Sequence, residues 1–123
     1  HGEGTDASGP KVALSPHVAV SLSMVLHELA TNSAKYGALS AGEGRVSLRW
    51  SVDQGAGQLR LIWSESGGPA VSEPERLGFG ARLIENLTQR ELKGRSRFDF
   101  RAEGLVFEAW LPLASVQRWS NDF

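Results

Sequence analysis

The chain contains no cysteine among its 123 residues. This absence excludes thiol catalysis, disulfide bonds and metal sites built on cysteine. It fits a reducing compartment, and we expect a cytoplasmic domain, whether the parent protein is soluble or anchored in a membrane. The apolar runs are also too short to span a bilayer, so we expect no membrane contact by this domain.

An excess of charge of either sign is also missing. The 13 Lys and Arg residues are balanced by 14 Asp and Glu residues, which gives a formal net charge of −1. Such a chain lacks the basic surface by which proteins attract nucleic acids or anionic membranes, and we expect neither as a partner. Its length suffices for one domain with one hydrophobic core. Because it begins with His1 rather than Met, we expect a domain excised from a larger protein.

The first half of the chain predicts a linker followed by a long helix. Residues 1–10 are rich in Gly and are typical of a linker or tail, and residues 11–14 suit a short strand. Ser15 and Pro16 form a good helix start, with Ser as the cap and Pro in the first helical position. An apolar pattern with a 3.6-residue period continues from there to about Leu39, in a region where glycines end the helix.

Alternating apolar residues predict two strand pairs after this helix. Strands are expected over residues 45–52, 59–63, 97–101 and 105–111, and a second helix over 81–92. Strands joined by tight turns pair antiparallel, and one long and one short helix can cover only one sheet face. The sequence therefore predicts an α+β fold, a two-layer sandwich with a mostly antiparallel mixed sheet. Its domain is expected over residues 11–113, with a tail over 114–123.

The long helix carries one polar stripe. Glu28, Asn32 and Lys35 lie at positions i, i+4 and i+7, beside the apolar face. A carboxylate, an amide oxygen and an ammonium together suit a Mg²⁺–polyphosphate site, because the metal prefers hard oxygen ligands and phosphates attract a cation. Taken alone, the same stripe is equally compatible with a solvated helix face.

Two glycine segments follow the stripe along the chain. In the first, Glu65 ends a strand, where its carboxylate can accept a hydrogen bond from an exocyclic amine. Two glycines follow it, and they let the backbone approach a flat ring or a phosphate. In the second, a glycine pair opens the second helix, where free N–H groups and the helix dipole favour phosphate. These positions are Gly67 and Gly68 in the first segment, and Gly78, Gly80 and Arg82 in the second.

The three segments in this order resemble the ATP-binding domain of the gyrase–Hsp90–histidine kinase–MutL superfamily. More narrowly, the chain is similar to the HWE subfamily of bacterial sensor histidine kinases. That subfamily is named for a His in the N box and a Trp-x-Glu in the first glycine box, and His27, Trp63 and Glu65 stand at these positions. The likeness extends over about residues 10–113.

The resemblance implies ATP and Mg²⁺ as cofactors and a role for each matching residue. Asn32 would coordinate Mg²⁺. Glu28 would be the catalytic residue, which orients or deprotonates the attacking group or holds the metal through water. Glu65 would replace the usual Asp that reads the adenine amine, either directly or through water. Further nucleotide contacts would come from Lys35, Tyr36, Gly67, Gly68, Gly78, Gly80 and Arg82.

The resemblance also implies the reaction, in which the γ-phosphate of ATP passes to a histidine and then to an aspartate of a response regulator. The acceptor histidine would lie on a dimerisation and phosphoacceptor domain of the parent protein, absent from this chain. The isolated domain is therefore expected not to autophosphorylate. Two alternatives remain open: an anti-sigma-type serine kinase of the same fold, and a degenerate phosphotransfer or scaffold domain that does not bind nucleotide.

His27 is the residue most open to another interpretation. His-Glu-Leu-x-Thr also resembles the phosphoacceptor motif of ordinary histidine kinases, but a Pro follows there at the sixth position, where this chain has Asn32. We therefore expect a hydrogen-bonding or structural role for His27. Trp50 and Trp63 follow the strand alternation, and we expect them in the core rather than in contact with a ligand.

Overall fold

The computed structural model of the chain describes residues 4–69 and 79–117. In these ranges helix α1, Pro16–Tyr36, and helix α2, Phe79–Asn86, cover one face of a five-stranded sheet. A short helix α3, Leu113–Val116, follows the last strand. The strands are β1 Thr5–Ser8, β2 Arg45–Asp53, β3 Gln58–Ser66, β4 Arg95–Arg101 and β5 Gly104–Pro112.

The sheet is mixed and mostly antiparallel. Its strand order is β1-β2-β3-β5-β4, in which β1 runs parallel to β2 and the other neighbours are antiparallel. The predicted α+β two-layer sandwich is therefore confirmed, with both predicted hairpins in place. Across residues 4–69 and 79–117, none of the helices is both long and apolar enough to cross a lipid bilayer.

The sequence prediction was wrong about the first strand. Residues 11–14 are not a strand, and β1 lies instead at Thr5–Ser8, inside the segment predicted to be a linker. It pairs with β2, where Thr5 lies opposite Val46 and Ser8 opposite Arg49. All four residues of β1 are exposed, so no buried face produces an apolar pattern in the sequence. Backbone pairing at the sheet edge, rather than side-chain burial, forms this strand.

Helix α1 begins where the sequence predicts and ends slightly earlier. The Ser15 side chain accepts a hydrogen bond from the Val18 N–H at 3.2 Å, and Pro16 is the first helical residue. The helix ends at Tyr36, where the Gly37 N–H still bonds to the Ser33 carbonyl. A turn of 3-10 helix, Ala38–Ser40, follows Gly37 and brings the chain toward β2.

The second helix changes its winding after Asn86. A π-helical turn, Leu87–Glu91, continues it, and the Leu92 N–H bonds to the Leu87 carbonyl at 2.9 Å. The Thr88 hydroxyl is fully buried and donates to the Ile84 carbonyl at 2.8 Å, which satisfies it in the core. The predicted helix at 81–92 is therefore real, but only its first part is α-helical.

The hydrophobic core lies between the two helices and the sheet. Leu29 of α1 and Ile84 of α2 are almost completely buried against the sheet. Strands β2, β3 and β5 contribute core side chains from alternate positions, as the alternation predicts, whereas β1 contributes none. The buried sheet residues are Val46, Leu59, Leu61, Trp63, Phe107, Ala109 and Leu111.

In the described part of the chain no helix covers the opposite face of the sheet, and the carboxylate of Glu108 is buried there. The Glu108 side chain is only 6% exposed, between arginines of the two neighbouring strands. Arg60 donates to Glu108 Oε2 through Nε at 2.6 Å, and Arg97 donates to Oε1 at 3.0 Å. A second pair on this face, Arg101 with Asp99, is much more exposed.

This contrast predicts that the two ion pairs differ in their contribution to stability. Glu108→Gln removes the charge between two arginines, and we expect the free energy of unfolding to fall by about 1–3 kcal/mol. Asp99→Asn is the matched control on the same face, with an expected change within about 0.5 kcal/mol because the pair is exposed. Urea denaturation measures both. An equal fall in the free energy of unfolding for both variants would show that the burial of Glu108 adds nothing to the stability that its ion pairs provide.

Candidate functional site

The polar stripe of α1 meets the first turn of α2. Glu28 and Asn32 are partly buried, and Gly80 packs directly against them. A Cβ atom at position 80 would lie 2.9 Å from Glu28 Oε1 and 3.2 Å from Asn32 Nδ2. Only glycine fits there without displacing these side chains. The structure therefore brings together three residues that the sequence placed in two separate segments.

A narrow cavity lies between the second half of α1, the start of α2 and the ends of three strands. Its volume is about 30 Å³, which is room for about one water molecule. Asn32 of the polar stripe and Glu65 of the first glycine segment both line it. The lining residues are Leu29, Asn32, Tyr36, Gly37, Glu65, Ala81, Phe98, Phe100 and Leu105.

Glu65 is a buried acid at one wall of this cavity, only 5% exposed. The Ala38 N–H donates to its Oε1 at 3.0 Å, and the Trp63 indole N–H donates to its Oε2 at 2.9 Å. No ion pair joins Glu65 to a cationic side chain within the described part of the chain. Hydrogen bonds from two neutral donors therefore compensate the burial of this group.

Two glycines make room for Glu65. A Cβ atom at position 37 would collide with Glu65 Oε1, and one at position 104 would collide with the Glu65 carbonyl oxygen. Gly104 also has a φ of +148°, which side chains rarely tolerate. The end of α1 and the start of β5 thus approach Glu65 as closely as glycine allows.

Of the other predicted site residues that the structure describes, only Tyr36 lines the cavity. Tyr36 lines the cavity and is 49% exposed. Lys35 and Arg82 are exposed, and neither is among the cavity's described lining residues. Gly67, with a φ of +77°, packs against residues 43–44, and Gly68 packs against residues 37–38; neither is among the described lining residues of the cavity. Gly78 lies outside the described residues.

Sequence reasoning missed the aromatic wall. Phe98 and Phe100 project from the same face of β4, with ring centroids 6.2 Å apart and planes inclined by 12°. Leu105 completes this wall from β5, opposite Phe100 in the β4–β5 register. The alternation of β4 could have placed both phenylalanines on the inner face, but their position beside Glu65 follows from the strand order.

His27 lies outside this cavity. It is exposed and borders a shallow recess of about 290 Å³ between α1 and α2, together with Ser23, Met24, Glu28 and Leu83. Its expected hydrogen-bonding role has no partner among residues 4–69 and 79–117. Trp63 is buried as expected, and Trp50 is half-buried at the edge of the core.

Comparison with known proteins shows that the chain is similar in sequence to histidine kinases. The chain is 44% identical over 110 residues to the blue-light-activated histidine kinase of Brucella anthropi, and 41% identical over 108 residues to that of Brucella ovis. These matches cover 88% and 86% of the chain, and 22% of each relative. The chain thus spans about a fifth of the length of these curated relatives. No family model matches it.

Solved histidine kinases share the fold. The histidine kinase domain of the blue-light-activated kinase from Erythrobacter litoralis EL346 superposes with a TM-score of 0.76 at 22% identity, over 96% of this chain and 55% of that one. The nucleotide-free catalytic domain of the histidine kinase ThkA gives a TM-score of 0.66 at 17% identity, over 88% and 77% of the two chains.

The sequence relatives and the structural neighbours agree with each other and with the resemblance found in the sequence motifs. The segment that the sequence relatives share with this chain covers nearly nine-tenths of it. The chain therefore belongs to the histidine kinases, as the counterpart of one segment of these longer proteins, and that segment has the fold of their catalytic domain.

Proposed function

We propose that this chain is the ATP-binding catalytic domain of a two-component sensor histidine kinase. Its task would be to deliver the γ-phosphate of ATP to a histidine on a separate phosphoacceptor domain. The observation that carries the proposal is the convergence of Asn32 and Glu65 on one cavity, with Gly80 packed against Glu28 and Asn32 beside it. Membership of the histidine kinases supports the same reaction.

The cavity has the chemistry of an adenine site. Phe98, Phe100 and Leu105 offer apolar surface to a flat ring, and Glu65 offers carboxylate oxygens to an exocyclic amine. Its present volume of about 30 Å³ is too small for a purine, so a bound base requires the walls to move apart. Ala81, in the first helical turns of α2, is one of those walls.

The neighbouring donors suit Mg²⁺ bound together with phosphates. In the described part of the chain there is no group of three or more His, Asp or Glu side chains that could hold a metal alone. Mg²⁺ in nucleotide sites needs only one or two protein ligands, because phosphate oxygens and water supply the others. Asn32 would be the protein ligand, with Glu28 beside it, and the bound ion would neutralise charge on the phosphates.

In this proposal Glu28 would act on the acceptor. The acceptor imidazole attacks the γ-phosphorus through one ring nitrogen, and the bond from that phosphorus to the bridging oxygen of ADP breaks. The other ring nitrogen carries a proton, which Glu28 would accept or hold in place by a hydrogen bond. Exposed Lys35 and Arg82 would add positive charge near the phosphates, as the motif resemblance suggests.

A response regulator is the expected partner for the next transfer. The structure of ThkA in complex with the response regulator TrrA, which superposes on this chain with a TM-score of 0.64, illustrates such a pairing for a protein of this fold. We propose that this chain, within its parent protein, serves a regulator in the same way. We also place the domain in the cytoplasm, where ATP is available.

Binding of nucleotide should depend on Mg²⁺ through Asn32. We expect Asn32→Ala to lose about tenfold or more of its ATP affinity with Mg²⁺ present, and little when EDTA replaces the metal, because even outer-shell partners of a metal contribute tenfold or more. Asn86→Ala, at the exposed end of α2, is the control and should bind like wild type. Isothermal titration calorimetry measures the ATP affinity of wild type, Asn32→Ala and Asn86→Ala, each with Mg²⁺ and with EDTA. A wild-type chain that gives neither heat nor a thermal shift with ATP would be a degenerate domain.

Loss of the Glu28 carboxylate should reduce the rate of phosphoryl transfer more than it reduces the affinity for ATP. With a histidine kinase phosphoacceptor domain supplied in trans, we expect Glu28→Gln to slow transfer by about 10²–10⁴-fold. Its ATP affinity should change little, since Glu28 acts on the acceptor. Glu85→Gln, an exposed position on α2, is the control. A variant that keeps its transfer rate but loses ATP affinity would assign Glu28 to the metal instead.

The chain alone should bind ATP without phosphorylating itself. The motif resemblance assigns the acceptor histidine to a separate domain, and His27 borders a different recess from the cavity that Asn32 and Glu65 line. We expect no acid-labile label after incubation with γ-labelled ATP. Label that disappears in His27→Gln would identify His27 as the acceptor and contradict the proposed division between two domains.

A further inference from the structure

We propose that Trp63 is a positioning residue, whose indole N–H holds Glu65 in the orientation that reads the exocyclic amine of a bound adenine. This inference rests on the proposed function and adds a residue to its base-reading machinery. Trp63 is 6% exposed and is absent from the cavity lining, so it acts through Glu65 rather than on the nucleotide.

The two side chains share one face of β3. Trp63 and Glu65 are two residues apart in the strand, so both project toward the helices. The Trp63 indole N–H donates to Glu65 Oε2 at 2.9 Å, while the Ala38 N–H donates to Oε1 at 3.0 Å. Each carboxylate oxygen is therefore held by one donor from the protein. Each also keeps a second lone pair with which it can accept a hydrogen bond from a ligand.

A glutamate needs such a clamp more than an aspartate does. Its side chain has one more rotatable bond, and ordering that bond at the moment of binding would cost free energy. The Trp63 and Ala38 donors order the carboxylate before any ligand arrives, which lowers the cost of binding. Because Ala38 donates from the backbone, Trp63 is the one member of this clamp that mutation can remove cleanly.

The role of the clamp can be separated from general structural support by the choice of nucleotide. The 6-amino group of adenine is the donor that a carboxylate reads. Purine riboside triphosphate has hydrogen in place of this amine and otherwise the same ring and phosphates. A defect that acts through Glu65 should weaken binding of ATP and leave binding of this analogue nearly unchanged. A general loss of packing should weaken both nucleotides together.

Trp50 supplies a matched control. It is also a strand tryptophan whose indole N–H donates to an oxygen, in this case the Pro10 carbonyl at 2.6 Å. It lies on β2 and lines a different cavity, of about 440 Å³, together with Leu22 and Leu61. Trp50→Phe removes the same type of hydrogen bond without touching Glu65.

The test compares ATP and purine riboside triphosphate by calorimetry, each with Mg²⁺, on wild type, Trp63→Phe and Trp50→Phe. We expect Trp63→Phe to weaken ATP binding about tenfold, as for a lost hydrogen bond to a charged group. The same variant should bind the analogue within about twofold of wild type, because the analogue has no amine for Glu65 to read. Trp50→Phe should bind both nucleotides normally, because Trp50 donates to the Pro10 carbonyl and not to Glu65. Equal weakening of both nucleotides by Trp63→Phe, or no change in either, would overturn the positioning role.

Two further results keep the outcome interpretable. If wild type binds neither nucleotide, the proposed function itself fails and the positioning role fails with it. If Trp63→Phe does not fold, Trp63 is replaced by benzothienylalanine, which keeps the shape of the ring system and has sulfur in place of the N–H. This chain should show the same selective loss of ATP affinity, and an unchanged preference for ATP over the analogue would overturn the role.

Discussion

Much of the structure around the cavity depends on the burial of one carboxylate, that of Glu65. An acidic group with 5% exposure requires hydrogen-bond donors, and no cationic side chain of the described residues provides them. One donor, the Ala38 N–H, is available because α1 ends at Tyr36 and the chain turns at Gly37. The other is supplied by Trp63 from the same strand face. The end of helix α1 and the inner face of the sheet thus each supply one hydrogen bond to the Glu65 side chain.

The same constraint explains why two glycines stand where they do. Positions 37 and 104 both approach Glu65 so closely that a Cβ atom would collide with it. Neither glycine is among the residues that the sequence patterns predict to contact phosphate or base. Gly37 follows the end of a helix, and Gly104 starts the last strand of a hairpin. The two glycines come close to Glu65 only through the tertiary structure. Space beside Glu65 accounts for Gly37, whereas Gly104 is required both by that space and by its φ of +148°.

The elements that the sequence predicts well are those with a buried face. Strands β2, β3, β4 and β5 alternate clearly, and their tight turns fix the hairpins, so their bounds differ from the predictions by three residues or fewer. Helix α1 begins at its predicted cap because Ser15 bonds to the Val18 N–H within the same turn. Strand β1 and the π-helical turn could not be predicted, because the first has no buried side and the second depends on packing around Thr88.

The candidate site divides along the same line. Glu28, Asn32 and Gly80 could be predicted because each lies in a segment whose local chemistry is visible in the sequence, and the structure brings them together. Phe98 and Phe100 could not, because only the strand order places β4 beside the cavity. Trp63 is the instructive case. The alternation of β3 correctly predicts that Trp63 is buried in the core. From the sequence, a core position and a role in the site are alternatives for this residue. The positioning role that we propose for Trp63 makes these two predictions compatible, because a core side chain can orient a neighbouring carboxylate through one hydrogen bond.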